Sequence, residues 1–150
     1  MEQREVNLLL NVKDIILDKI KPLELYQQKD LIELLDVSLN TFKKYFTSDK
    51  KWCDDALIYL SRSKYYKGYY LRMKAIELWG YAEKHDLLLA IKKANALLKD
   101  FEGQYILKPN DEFDLDQILM NQEYNEYFSH FLGNKDEENS YWETKLKELE

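Results

Sequence analysis

Apolar residues recur at helical spacing along most of the chain and give way to strand-favouring residues in one short stretch. From 4 to 20 (REVNLLLNVKDIILDKI), Leu8, Leu9, Val12, Ile15, Ile16 and Ile20 fall on one stripe, which predicts an amphipathic helix. Pro22 ends it, because proline donates no backbone hydrogen bond and restricts Lys21 before it. A second helix is predicted over 27–35 and a third over 39–46, with Ser38 as N-cap. Residues 47–55 turn polar and charged, as in a loop. In 56–72 (ALIYLSRSKYYKGYYLR), Ile58, Tyr59, Tyr65, Tyr66, Tyr69 and Tyr70 favour strand, and SRSK and KG supply turn chemistry, so a hairpin is predicted. Helical spacing returns from about 74 to 101, with Ile76, Trp79, Ala82, Leu87, Leu88, Ile91, Ala94, Leu98 and Phe101 and a break at 83–86. Gly103, Pro109 and Asn110 mark a boundary, after which 114–132 is predicted helical and 133–140 (GNKDEENS) a loop.

The joint between the second and third helices is unusually tight. Leu31, Leu34 and Leu35 are expected to face inward from the first of the pair, Val37 to fill the turn, and Phe42 and Tyr45 to face inward from the second. Asp36 falls where such a turn needs a left-handed backbone, a conformation Asp tolerates better than most side chains. Leu39, Asn40, Lys43 and Lys44 are then left outward near the start of the second helix. A recognition helix presents that end to the major groove, where Asn pairs bidentately with adenine and Lys reaches guanine or phosphate.

Charge sharpens this. The net charge of −6 looks unsuited to a polyanionic partner until it is divided along the chain. Residues 37–74 hold nine bases against three acids, whereas 109–150 hold twelve acids against three lysines. The first segment attracts a polyanion and the second repels one. The 150 residues suit one domain, or one small domain with an extension. No apolar run approaches the roughly 20 residues needed to span a bilayer, and the first 20 residues lack the features of a signal peptide. Cys53 is the single cysteine, so no internal disulfide is available and a cytoplasmic location is expected. His85 and His130 lack ligand spacing, Cys53 lies among acids that disfavour a thiolate, and four glycines leave little room for a phosphate-cradling loop. The reading is therefore not an enzyme, with no metal and no cofactor.

The order helix-turn-helix, basic loop, aromatic-basic hairpin and then YYLRMKAIELWGYAEK resembles that of MerR-like and excisionase-like winged helices. It also resembles the winged module of the small terminase subunits of some tailed phages. The resemblance covers roughly residues 25–86 and implies a mainly α fold: a winged helix-turn-helix with a small β-hairpin wing and a helical C-terminal extension. It implies sequence-specific binding of double-stranded DNA, in transcription control, excision or DNA packaging in a phage or mobile element. Asn40 and Leu39 are then the base readers, and Lys43, Lys44, Lys50 and Lys51 mainly neutralise phosphate. Arg62, Lys64 and Lys67 become wing residues on the adjacent minor groove or backbone. Two departures qualify the match. Ile32 stands where such modules keep a small residue, implying a wider helix crossing, and the stretch from Phe46 to Tyr70 is long enough to displace the wing.

The organisation expected is an N-terminal helix in 1–22, the winged domain in 23–86, a connecting or oligomerisation helix in 87–108, and an acidic aromatic extension in 109–150. The N-terminal stripe either completes the domain core or pairs with its twin, and a homo-oligomer, a dimer first, suits a two-fold DNA site. Trp79 is read as a core anchor. The acidic extension packs on its own domain, folds back over the basic face as a DNA mimic, or docks a protein partner through 111–132. The last of these makes the chain an adaptor or antirepressor, the alternative to a DNA binder.

Overall fold

The computed structural model describes residues 2–78, 80, 82 and 115–149, with the backbone alone at 115–118. The expected helix at 87–108, the segment 109–114 and the side chain of Trp79 lie outside the described residues.

Helix α1 (Gln3–Lys19) buries Val6, Leu9, Val12 and Ile16, and the Ile20 N–H closes it on the Ile16 carbonyl at 2.9 Å. Its apolar stripe is thus spent in the core of its own domain. After the turn at Pro22 come a two-residue strand, β1 (Leu25–Tyr26), and helix α2 (Gln28–Leu35). Asp36 follows in the left-handed region, with φ 52° and ψ 50°, and its N–H returns to carbonyls of α2. The Ser38 hydroxyl accepts from the Thr41 N–H at 3.1 Å and starts α3 (Leu39–Phe42). The helix continues as a π segment, Lys43–Thr47, closed by a 2.9 Å bond from the Ser48 N–H to the Lys43 carbonyl.

Residues 47–55 are expected to be a loop, yet α4 (Lys50–Ala56) occupies most of them. Asp49 caps it by accepting from the Trp52 N–H at 3.1 Å. Trp52 in turn reaches Phe46 and Tyr66 with ring centroids 5.8 and 6.0 Å apart. That tertiary packing is what a reading of local polarity misses. The added length before the hairpin is this helix.

Strands β2 (Leu57–Leu60) and β3 (Ser63–Lys67) form the hairpin, with Ser61 at φ 57° in its tip. The antiparallel sheet has the order β1-β3-β2, pairing Leu25 with Lys67, Tyr26 with Tyr66, Leu57 with Tyr66 and Tyr59 with Lys64. Residues directly opposite share a face, and successive residues alternate. Leu57, Tyr66, Tyr59 and Lys64 therefore lie on one face, and Ile58, Tyr65 and Lys67 on the other.

The strand ends at Lys67, before Tyr69 and Tyr70. Helix α5 runs from 68 to 78, six residues earlier than the apolar spacing predicts. Strand propensity at the two tyrosines loses to burial: the Tyr69 ring stacks on Tyr127 at 3.8 Å, with 5° between the planes. Gly68 permits the start of α5, since a Cβ there would lie 1.8 Å from the Lys21 carbonyl oxygen. Its own N–H bonds the Glu24 carbonyl at 2.8 Å.

Two cores sit on opposite faces of the sheet. The main one joins α1, α2, α3, Tyr66 and the inner side of α5; Phe42 and Phe46 stack in it at 4.9 Å. Leu31 and Leu35 are buried there as expected, but Leu34 is exposed, and Phe46 takes the inward place expected of Tyr45, which is half-buried. Ile32 is half-buried at the margin.

The second core seats α6 (Leu115–Ser129) and α7 (Lys135–Lys147) on Leu23, Leu25, Ile58, Tyr69 and Tyr70. The expected loop at 133–140 is mostly α7. Asn134 caps it, accepting from the Asp136 N–H at 2.9 Å, and Asp136, Glu137 and Glu138 in its first turn meet the positive end of the helix dipole. Buried Glu138 accepts from the hydroxyls of Tyr127 at 2.5 Å and Tyr70 at 3.1 Å. Trp142 Nε1 donates to the Tyr127 oxygen at 2.7 Å, so each buried polar atom of this cluster is matched. The described part of the extension thus packs on its own domain.

Candidate nucleic-acid interface

The segmental positive charge is partly consumed inside the fold. Arg72 on α5 forms a bidentate pair with Glu123 on α6, at 2.9 and 2.5 Å. Lys74 is buried with its Nζ 3.0 Å from Asp49 and 3.5 Å from Glu77. Asp49 is held below the usual carboxylate range by the Trp52 N–H first and by Lys74 second. Neither Arg72 nor Lys74 is available to a polyanion.

Lys67 also turns inward. It lies on the sheet face away from Lys64, donates to the Asp55 carbonyl at 2.9 Å, and stands 5.4 Å over the Tyr70 ring. Burial pushes its amine below the ordinary lysine range. Its place is between the sheet and the C-terminal helices, not at the tip of the hairpin.

Lys44 is exposed but held. Its Nζ lies 3.0 Å from Glu5 on α1, and the Tyr45 hydroxyl donates to the same carboxylate oxygen. Those two donors, Tyr45 first, keep the Glu5 carboxyl below its ordinary range. Glu5, Asn7, Asn11, Thr41, Lys44 and Tyr45 border a groove of about 620 Å³ between α1 and α3. Sequence spacing gave no sign of Glu5, which lies 39 residues from Lys44.

Lys43, Lys50, Lys51, Arg62 and Lys64 are exposed and, among the described residues, make no ion pair. Lys50 and Lys51 open α4, Arg62 is in the hairpin turn, and Lys64 follows it on β3. Lys64 projects from the same sheet face as Tyr66, which packs in the main core. Beside it is Tyr59, 59 % exposed, an aromatic that the charge pattern of the sequence does not single out. Leu39, 42 % exposed, and Asn40 open α3 on the outer surface.

Burial first, then the charges of Asp49 and Asp54, pushes the Cys53 thiol up, away from thiolate. Among the described residues no His, Cys, Asp and Glu cluster at metal-holding distances, and no helix is long and apolar enough to cross a membrane. No protein-family model, curated protein or solved structure matches this chain.

Proposed function

We propose that this chain is a winged helix-turn-helix protein that binds double-stranded DNA sequence-specifically, similar to MerR-like and excisionase-like proteins. Helix α3 enters the major groove, and the β2–β3 hairpin acts as a wing on the adjacent backbone or minor groove. One observation carries the reading. The left-handed joint at Asp36 and the Ser38 cap set α3 with Leu39, Asn40 and Lys43 outward, while Lys64 projects from the sheet face that carries the same core. Support comes from the elements that follow that joint: the hairpin and then α5, with α4 inserted before them. The biological setting proposed is a phage or mobile element, with transcription control, excision or packaging as the role, in the cytoplasm. A homodimer is proposed, with residues 87–108 as its element, because the α1 stripe is already used within the domain.

Binding of the full chain to a random-sequence duplex pool, followed by anisotropy on the enriched duplex, tests this. If Lys43, Lys50, Lys51, Arg62 and Lys64 all meet phosphate, the slope of log K against log salt is about −4 to −5 per chain. Lys43→Glu with Lys64→Glu should abolish enrichment. Absence of duplex binding at low salt refutes the proposal. The adaptor reading draws on a different observation: Leu132, 93 % exposed at φ 51°, caps the tip between α6 and α7 as an unprotected apolar side chain. Retained partner capture without duplex binding would favour it.

A further inference from the structure

The exposed side chains of α3 divide sharply into those the fold has already engaged and those it has not. The Ser38 hydroxyl accepts the Thr41 N–H and donates to Thr41 Oγ1 at 2.9 Å, so Ser38 is used in the cap and the half-buried Thr41 is turned toward it. Lys44 and Tyr45 are engaged by Glu5. Phe42 and Phe46 are in the core. Leu39, Asn40 and Lys43 are exposed, and no contact within the described residues engages the Asn40 amide or the Lys43 amine.

Positions 39 and 43 are four apart and 40 and 43 three apart, so Lys43 neighbours both, while Leu39 and Asn40, about 100° apart around the axis, flank it on either side. The patch presents an apolar group, an amide with one donor and one acceptor side, and an amine. Each has a distinct counterpart in the major groove. The C5-methyl of thymine is the apolar feature there, and adenine alone offers N7 as acceptor beside N6 as donor. Both features belong to one A·T base pair, with the methyl at one end of its major-groove edge and adenine N7 and N6 toward the other.

We infer that Leu39 and Asn40 together read an A·T base pair, with Asn40 bidentate on the adenine edge and Leu39 against the thymine methyl. This inference rests on the proposed DNA binding and goes further by naming the base pair. Lys43, one turn along, takes a neighbouring phosphate or guanine. Lys44 does not read bases, because Glu5 holds its amine. Both readers are surface residues, so their truncation to Ala leaves the core intact.

The test uses the full chain and the duplex enriched from a random pool. Single thymines in that duplex are replaced by uracil, which deletes only the methyl, and single adenines by 7-deazaadenine, which deletes only the N7 acceptor. Affinities are measured for the wild type, Leu39→Ala and Asn40→Ala. At one A·T position, uracil should weaken the wild type about fourfold, the worth of one buried methyl, and leave Leu39→Ala unchanged. At the same pair, 7-deazaadenine should weaken the wild type by about tenfold and leave Asn40→Ala unchanged. An enriched site without a fixed A·T pair overturns the inference while DNA binding stands. So does a uracil or deaza penalty of equal size in the wild type and the matching Ala variant. Failure to enrich any duplex overturns the DNA reading itself, and this inference with it.

Discussion

Removing Glu123 should release the C-terminal helices from the domain more than any surface charge change could. Arg72 is the reason. Its guanidinium bonds both Glu123 oxygens, at 2.9 and 2.5 Å, and its Nη1 donates to the Leu17 and Ile20 carbonyls at 2.9 Å each. The Leu17 carbonyl belongs to the last turn of α1, whose carbonyls lack helical partners, so Arg72 joins α1, α5 and α6 at one point. The two side chains are only 16 % and 15 % exposed. Breaking a fully buried pair costs about 3–5 kcal/mol, because the survivor keeps an uncompensated charge. The residual solvent contact, and the two carbonyls that still hold Arg72, reduce this to about 2–3 kcal/mol for Glu123→Ala. Arg72→Met forfeits the carbonyl bonds as well and should cost about 3 kcal/mol or more. In the double variant neither charge is stranded, so its cost should fall short of the sum by about 1–2 kcal/mol. Urea titration followed by tryptophan fluorescence and far-ultraviolet circular dichroism, with the slope m held in common, measures all four. A Glu123→Ala cost below about 0.5 kcal/mol, or simple additivity in the double variant, would refute the reasoning.

Gly68→Ala should destabilise by about 3 kcal/mol, seen as a large fall in Tm, because a Cβ at 1.8 Å from the Lys21 oxygen forces two backbone segments apart. An unchanged Tm would mean that this approach is not a constraint. Ser38→Ala should cost about 1 kcal/mol in urea unfolding by removing the α3 cap, and Ser38→Asp should restore most of it. Glu5 predicts a pH dependence. Its folded pKa is lowered, so its contribution is present above the unfolded value near 4.3 and is lost as pH falls through the lower folded one. The Tm difference between wild type and Glu5→Gln should therefore close on acidification from about pH 5 to about pH 3. A constant difference across that range would dismiss the Tyr45–Glu5–Lys44 contact.

The features that sequence alone determined are those whose physics is local. The α1 stripe follows from a 3.6-residue period, the end of that helix from Pro22, and the Asp36 and Ser38 geometry from which residues tolerate a left-handed turn or cap a helix. The hairpin, with its tip inside SRSK, and the outward placement of Leu39, Asn40 and Lys43 were legible for the same reason, whereas KG at 67–68 is the end of a strand and the start of α5, not a turn. Tertiary structure decided the rest, because long-range partners outweighed local preference. Trp52 draws a polar stretch into α4, and Tyr127 draws Tyr69 out of a strand and into α5. Tyr141 and Trp142 find a core that makes α7 worth forming. The charges behaved likewise. Sequence counted nine bases between 37 and 74, but only folding could bring Glu123 to Arg72, Asp49 to Lys74 and Glu5 to Lys44, or turn Lys67 to the far face of the sheet. A count of charges is a property of the chain. Which of them remain free for a partner depends on distances between residues tens of positions apart, and those are set by packing.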